Sequence, residues 1–199
     1  MNGSMPRRLR LLRAPLVLAS LAVLIAGCSS APPTTYDLSA ATVARKASTR
    51  SLIVVAEPAA LAVVDSDRIA VRTAAGGLAY VSGAQWADRL PKLVQSRLIQ
   101  SFENAGSVGS VGRAGERLSA NAQMVADIRT FEVREKSGEA VVEIAVRIIN
   151  DRNGRVVAGQ LFSARAPVGS INGASAAAAL DQASQGVFAQ IVAWAARRG

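Results

Sequence analysis

The sequence predicts a single α/β (α+β) domain: a mixed, largely antiparallel sheet with two main helices. Three observations predict it. Period-two alternation is clearest in "EAVVEIAVRIIND" (139–151), where Val142, Ile144, Val146 and Ile148 face one way and Glu139, Glu143 and Arg147 the other. That is a strand with one buried and one wet face. Two other segments, 83–106 and 172–199, repeat their apolar residues at helical spacing. The order strands, helix, strands, helix then fits helices layered on a meandering sheet.

Taken in order, "SLIVVAEP" (51–58) is a short apolar run ended by proline, a buried strand. "DRIAVRT" (67–73), the turn "AAGG" (74–77) and "LAYVS" (78–82) form a β-hairpin. In 83–106, Trp86, Leu90, Leu93, Val94, Leu98 and Phe102 make a helical stripe that places Trp86 in the core. Pro91 interrupts it, and proline is tolerated only in a helix's first turn. Either a short turn covers 84–89 and the main helix starts near Pro91, or the helix kinks there. "GSVGSVGRAG" (106–115) lacks the lysine and spacing of a phosphate loop and reads as a loop or weak strand. "AQMVADIRTFEVRE" (122–135) and 139–151 are long strands, and Asn153-Gly154 marks a hairpin turn into the return strand 156–166. The final helix carries Leu180, Val187, Ile191 and Trp194 on one stripe, among many alanines.

The first 27 residues are an address. Arg7, Arg8, Arg10 and Arg13 precede an apolar run, Leu16 to Ile25. That run is far shorter than the ~20 residues a spanning helix needs, and it has the form of a secretory signal. Ile25-Ala26-Gly27-Cys28 resembles a bacterial lipobox, which implies cleavage after Gly27, a diacylglyceryl group on the Cys28 sulfur and an acylated new amino terminus. Each buried CH₂ contributes about 0.8 kcal/mol, so several chains hold a domain on a membrane firmly. Ser29 rather than aspartate follows Cys28, which favours the outer membrane, periplasmic face, over the inner membrane. The organisation expected is therefore a signal peptide (1–27), a lipidated cysteine with a short proline-bearing linker (28–35) and one domain (36–199).

Composition excludes several chemistries. There is no histidine and one cysteine, so no histidine triad and no ordinary zinc site. No lysine stands three residues after a serine. Carboxylate pairs remain: Asp65 with Asp67, and Glu139 with Glu143. The formal net charge is +9, but four of those charges lie in the leader, and the rest alternate in sign without a basic stripe. Nucleic acid is not the expected partner. No cofactor and no metal are expected, and an enzyme is not.

One ordered set of features resembles a family. "YDL" (36–38), "LIVVAEP", the "RI" strand, a tyrosine-containing strand and Trp86 six residues after Tyr80 are similar to the ABC-type transport auxiliary lipoproteins, which include the paraquat-inducible (Pqi) outer-membrane lipoprotein. The resemblance runs over about 36–195. It implies a lipid-anchored periplasmic domain working with an ABC transporter: an ATPase, a permease and an MCE (mammalian cell entry) domain protein that move phospholipids or other hydrophobic molecules. It marks Tyr36, Leu38, Tyr80 and Trp86 as motif positions, read physically as core or interface anchors, and it carries no catalytic residue. A homo-oligomeric ring is a further expectation. Its candidate patches are Ala176–Ala179 with Ala183 and Ala189, and the glycine-rich 106–115; the alternative for the alanines is packing on the protein's own sheet. Two other readings stand beside transport: a structural or assembly lipoprotein of the envelope, and a carboxylate-dependent periplasmic hydrolase.

Metabolic labelling with a fatty-acid analogue should mark the wild-type chain and leave Cys28→Ser unmarked. An unlabelled wild type would remove the anchor.

Overall fold

The computed structural model describes residues 31–43, 49–106, 108–116 and 118–197. The leader, Cys28 and the first part of the linker lie outside the described residues. The elements run β1 (Thr34–Tyr36), β2 (Thr49–Val55), β3 (Ala59–Ala60), β4 (Arg68–Arg72), β5 (Leu78–Trp86), α1 (Leu90–Ala105), β6 (Val108–Arg113), β7 (Ala122–Arg134), β8 (Glu139–Asn150), β9 (Val156–Pro167) and α2 (Gly173–Ala195). The nine described strands form one sheet, and with the two helices they make the α+β architecture read from the sequence.

β7 is the spine. One of its edges pairs antiparallel with β8 along its whole length, from Ala122↔Asn150 to Arg134↔Glu139. Its other edge takes three short strands end to end, all parallel: β2 at Ala122–Met124, β3 at Asp127–Ile128 and β4 at Val133–Arg134. β8 passes the sheet on to β9, antiparallel. β2 passes it to β6, and β4 to β5 and then β1. The long registers are thus antiparallel, and the parallel ones are brief.

A bulge in β7 reconciles its sequence with one buried face. Met124, Ala126 and Ile128 are buried on even numbers, then Phe131 and Val133 on odd. The register shifts between Ile128 and Thr130, so Arg129 and Thr130 together oppose Glu143. An extra residue of this kind restores the facing that a strict period of two would lose. Across the bulge β8 stays regular, and Ala140, Val142, Ile144, Val146 and Ile148 all point to the core.

Helix α1 begins at Leu90 with Pro91 in its first turn, where a missing N–H costs nothing. The Leu90 N–H is satisfied by the Ser66 carbonyl at 3.0 Å. At the other end Gly106 adopts φ 53°, the left-handed cap. α2 is capped by Asn172, whose side chain accepts from the Ser175 N–H at 3.0 Å. The buried polar side chains find partners: Gln95 donates to the Val55 carbonyl at 3.0 Å, Ser101 to that of Arg97 at 2.6 Å and Ser184 to that of Leu180 at 2.6 Å.

Three expectations are corrected. Residues 84–86 are not a turn, because β5 continues through them. Trp86 therefore sits on a strand and not on a helical stripe, although it is buried as expected (1% exposed). β5 reaches that far by bulging: Arg68 pairs with Gln85 while Ala70 pairs with Tyr80, and Gly83 takes φ 66° within the excess. The alanine patch of the last helix is not a free surface, since Ala176, Ala177, Ala179 and Ala183 are buried and only Ala178 of that group is exposed. The alanines pack on the protein's own sheet. The glycine-rich stretch, by contrast, takes the strand form read for it, with 108–113 as β6 beside β2.

The bulge makes a test. Deleting Arg129 should leave a folded domain, because Ile128 and Phe131 keep their facing without it. Deleting Val125, in the regular part, should turn Met124 toward water and abolish the cooperative melt. Equal outcomes for the two deletions would contradict the β7–β8 register.

Candidate functional site

Three of the four residues singled out by the resemblance, Tyr36, Leu38 and Trp86, gather where the linker joins the domain. Tyr36, at the end of β1, is the register partner of Trp86, and its carbonyl accepts the Ala87 N–H at 2.7 Å. Trp86 meets Phe131 of the spine edge to face, with ring centroids 6.0 Å apart, a favoured aromatic arrangement. Leu38 is buried two residues further on. Gly173 opens α2 against this group: a Cβ there would lie 2.7 Å from the Ala84 Cβ and 3.3 Å from the Tyr36 hydroxyl. Tyr80 stands apart. Its hydroxyl donates to the Val63 carbonyl at 3.3 Å and its ring carries the Arg68 guanidinium, 3.8 Å from the centroid. So the structure brings Tyr36, Leu38 and Trp86 together and leaves Tyr80 as a separate anchor on the hairpin.

After Tyr36 the chain is strapped to both helices. Asp37 pairs with Arg97 of α1. The Ser39 N–H donates to Asp181 of α2 at 2.5 Å, and the Ala41 N–H to the Ser101 hydroxyl of α1 at 2.9 Å. Any pull on the linker is therefore shared among β5, α1 and α2. No local signal marks Arg97, Ser101 and Asp181 for this role, since they lie far along the chain from the residues they hold and each also fits a helix surface.

Three of the four candidate acids have side-chain partners; Asp67 contributes only its backbone carbonyl, which accepts the Trp86 N–H at 2.6 Å. Asp65 and Glu57 both hold Arg89, and the Asp65 hydrogen bond, then its charge, raises the Arg89 guanidinium above its ordinary value. Glu139 faces Arg165 at 3.5 Å, and Glu143 accepts the Thr130 hydroxyl at 3.0 Å. Among the described residues, no group of three or more His, Cys, Asp or Glu side chains is placed to hold a metal ion. No described helix is long and apolar enough to cross a membrane.

One charged cluster has no counterpart among the sequence expectations. Glu132 is the charged member of the buried polar residues, 4% exposed, and lies on the sheet face opposite Phe131 and Val133. Arg72 grips both its oxygens, Nε at 2.7 Å and Nη2 at 2.9 Å, and Arg134 Nε adds 3.1 Å. The pairing raises the Arg72 guanidinium above its ordinary value, through the hydrogen bond first and the charge second. In the sequence, "FEVRE" shows only alternating charges.

The chain belongs to the ABC-type transport auxiliary lipoprotein component family, whose sequence model matches residues 36–192. It is 33% identical over 182 residues to an uncharacterized protein of Bradyrhizobium diazoefficiens, a match that takes in 89% of this chain and 49% of the relative, so the chain spans about half of that protein's length. The crystal structure of protein XCC0632 from Xanthomonas campestris, described as a DUF330 protein, is similar with TM-score 0.74 and 28% identity, over 83% of this chain and 96% of that one. A second crystal structure, of an uncharacterized protein, shares the fold with TM-score 0.62 at 15% identity, over 84% and 98% of the two chains.

Trp86→Ala should lower the melting temperature sharply, at a cost of about 3–5 kcal/mol for a core aromatic. Gly173→Ala would favour an isolated helix, yet here it should destabilise by about 1–3 kcal/mol, because the new methyl meets Ala84 and Tyr36. Thermal unfolding of both variants checks the packing; a Gly173→Ala variant at least as stable as wild type would deny the close approach.

Proposed function

We propose that the protein is a lipid-anchored, non-enzymatic auxiliary of an ABC-type transport system, held at the periplasmic face of the outer membrane. Its partners in this reading are an MCE-domain protein, a permease and an ATPase that together move phospholipids or other hydrophobic molecules across the envelope. The observation that carries the reading is the family match over nearly the whole domain. The strap at 36–41 supports it: a domain on a short tether works at a defined distance from its membrane only if the tether is fixed to the core and cannot fray. The occupied carboxylates support the non-enzymatic part, since Asp65 and Glu139 face arginines and Glu143 faces a threonine. The family's work with nucleotide belongs to the ATPase partner.

Affinity capture of the full lipidated chain from its native envelope tests this. An ATPase, a permease and an MCE-domain protein should be recovered with it, and their genes should stand beside its own. Recovery of cell-wall enzymes or assembly factors in their place would favour the structural reading. Glu143→Gln should leave transport-linked phenotypes unchanged; loss of function with an intact fold would revive the hydrolase.

A further inference from the structure

Arg72 and Arg134, which hold the buried Glu132, line a groove. On the face of the sheet away from the helices, Arg72, Arg134 and Glu139 lie in one register row across β4, β7 and β8. The next row along holds Glu132, Val141 and Arg165, on β7, β8 and β9. Strands stand about 4.8 Å apart, so three guanidinium groups lie within roughly 15 Å across the sheet. The β7–β8 turn adds Lys136, and the β4–β5 turn forms a wall. The cavity between them measures about 680 Å³, within the size range of small-molecule sites. Val141, like Glu132 beside it, is buried on this face, as happens where long arginine stems lie across a sheet.

In and beneath the groove the cations Arg72, Arg134, Lys136 and Arg165 outnumber the carboxylates Glu132 and Glu139. In the groove a single carboxylate, Glu132, is shared by two arginines. Glu135 is turned to the Ala74 N–H at 2.7 Å, and Glu139 meets Arg165 only at 3.5 Å. Among the described residues, Lys136 has no carboxylate partner and Arg134 bonds only through Nε, with its two terminal nitrogens free. Glu132 thus holds both guanidinium groups; Arg72 also donates through Nη1 to the Gly76 carbonyl at 3.4 Å, while the terminal nitrogens of Arg134 stay without a partner among the described residues. Planar forks held in place beside a mobile ammonium match the oxygens of a phosphate, which accepts two parallel N–H bonds from arginine and a point charge from lysine.

We propose that this groove binds a phosphate group, in the form of the phosphodiester headgroup of an anionic lipid. The proposal deepens the transport reading and rests on it for the choice of a lipid over a free anion. The strap that fixes the linker is a separate feature: β1 joins β5 at Ala84–Trp86, whereas the groove lies at the Leu78 end of that strand.

The test uses the full chain in a non-ionic detergent, titrated calorimetrically with dihexanoyl phosphatidylglycerol, with inorganic phosphate and with dihexanoylglycerol, each read against protein-free detergent. The phosphatidylglycerol should bind, more weakly as salt rises, and dihexanoylglycerol should not. Lys136→Gln with Arg165→Gln should weaken binding at least about tenfold. Both side chains are exposed and glutamine keeps the first methylenes beside Val141, so the melting temperature should shift far less than in Trp86→Ala. Lys136→Arg with Arg165→Lys should retain binding, and Glu139→Gln, which frees Arg165, should tighten it. If inorganic phosphate binds as tightly as the lipid and with the same sensitivity, the phosphate site stands and its occupant is the free anion. No binding of either phosphate probe, binding unchanged in the double glutamine variant, or equal binding of dihexanoylglycerol would overturn the proposal. A chain that fails this titration but still captures its transporter loses the groove and keeps the transport reading; one that passes but captures no transporter does the reverse.

Discussion

Everything in this domain hangs on the two edges of β7. A strand has one row of hydrogen-bonding groups on each side, and here one row goes to a single long partner while the other is divided among three short ones. β8 alone would give a two-strand ribbon, which is marginal in water. The division on the other edge is what recruits the N-terminal half of the chain: β2 brings β6, and β4 brings β5 and β1. All three recruits run parallel to the spine. β2, β3 and β4 follow one another in the same direction along the spine, and the return to β7 runs through β5, α1 and β6. The bulge at Arg129 and Thr130 lets one long strand serve both regions without turning its apolar residues over.

The helices then cover one face only. α2 meets the sheet through small residues, and the close approach they allow brings its first turn against Tyr36 and Ala84. The same contact fixes the point where the linker joins. Three of the residues singled out by the resemblance build the linker into the core: Tyr36 in register with Trp86, Trp86 against Phe131 of the spine, Leu38 buried beside them. A partner that pushes on the domain pushes on the sheet.

Much of this was legible in the sequence, for reasons that separate cleanly. The β8–β9 hairpin could be read because alternation and an Asn-Gly turn are local signals. The start of α1 near Pro91 could be read because proline permits few positions. Trp86 was read as buried but assigned to the wrong element. A stretch of apolar residues at 86, 90, 93 and 94 satisfies helical spacing, and nothing local reveals that Gly83 bulges a strand onward through 86. The parity change from Met124–Ile128 to Phe131–Val133 was visible as a pattern, but only the register with β8 shows that it is a bulge. The strap bonds and the Glu132 cluster join residues far apart in the chain, and no spacing rule reaches them. Alternating signs in "FEVRE" look like a solvated surface until Arg72 arrives from another strand.

The face opposite the helices shows why that last point matters. A sheet covered on one side leaves its other side to water, and most side chains there are short or polar accordingly. Burying a carboxylate on such a face costs desolvation that only close, well-directed cations offset. Arg72 and Arg134 provide them, and in doing so they become rigid. A guanidinium held from beneath by a carboxylate has lost most of the side-chain freedom that binding would otherwise have to remove. The cluster is thus a poor way to stabilise a sheet but an effective way to hold the Arg134 fork in place. The same reasoning places a site at the end of the sheet that has no part in fixing the tether. Anchoring and recognition then occupy opposite ends of one strand, β5, and the rigid spine between them keeps the distance constant.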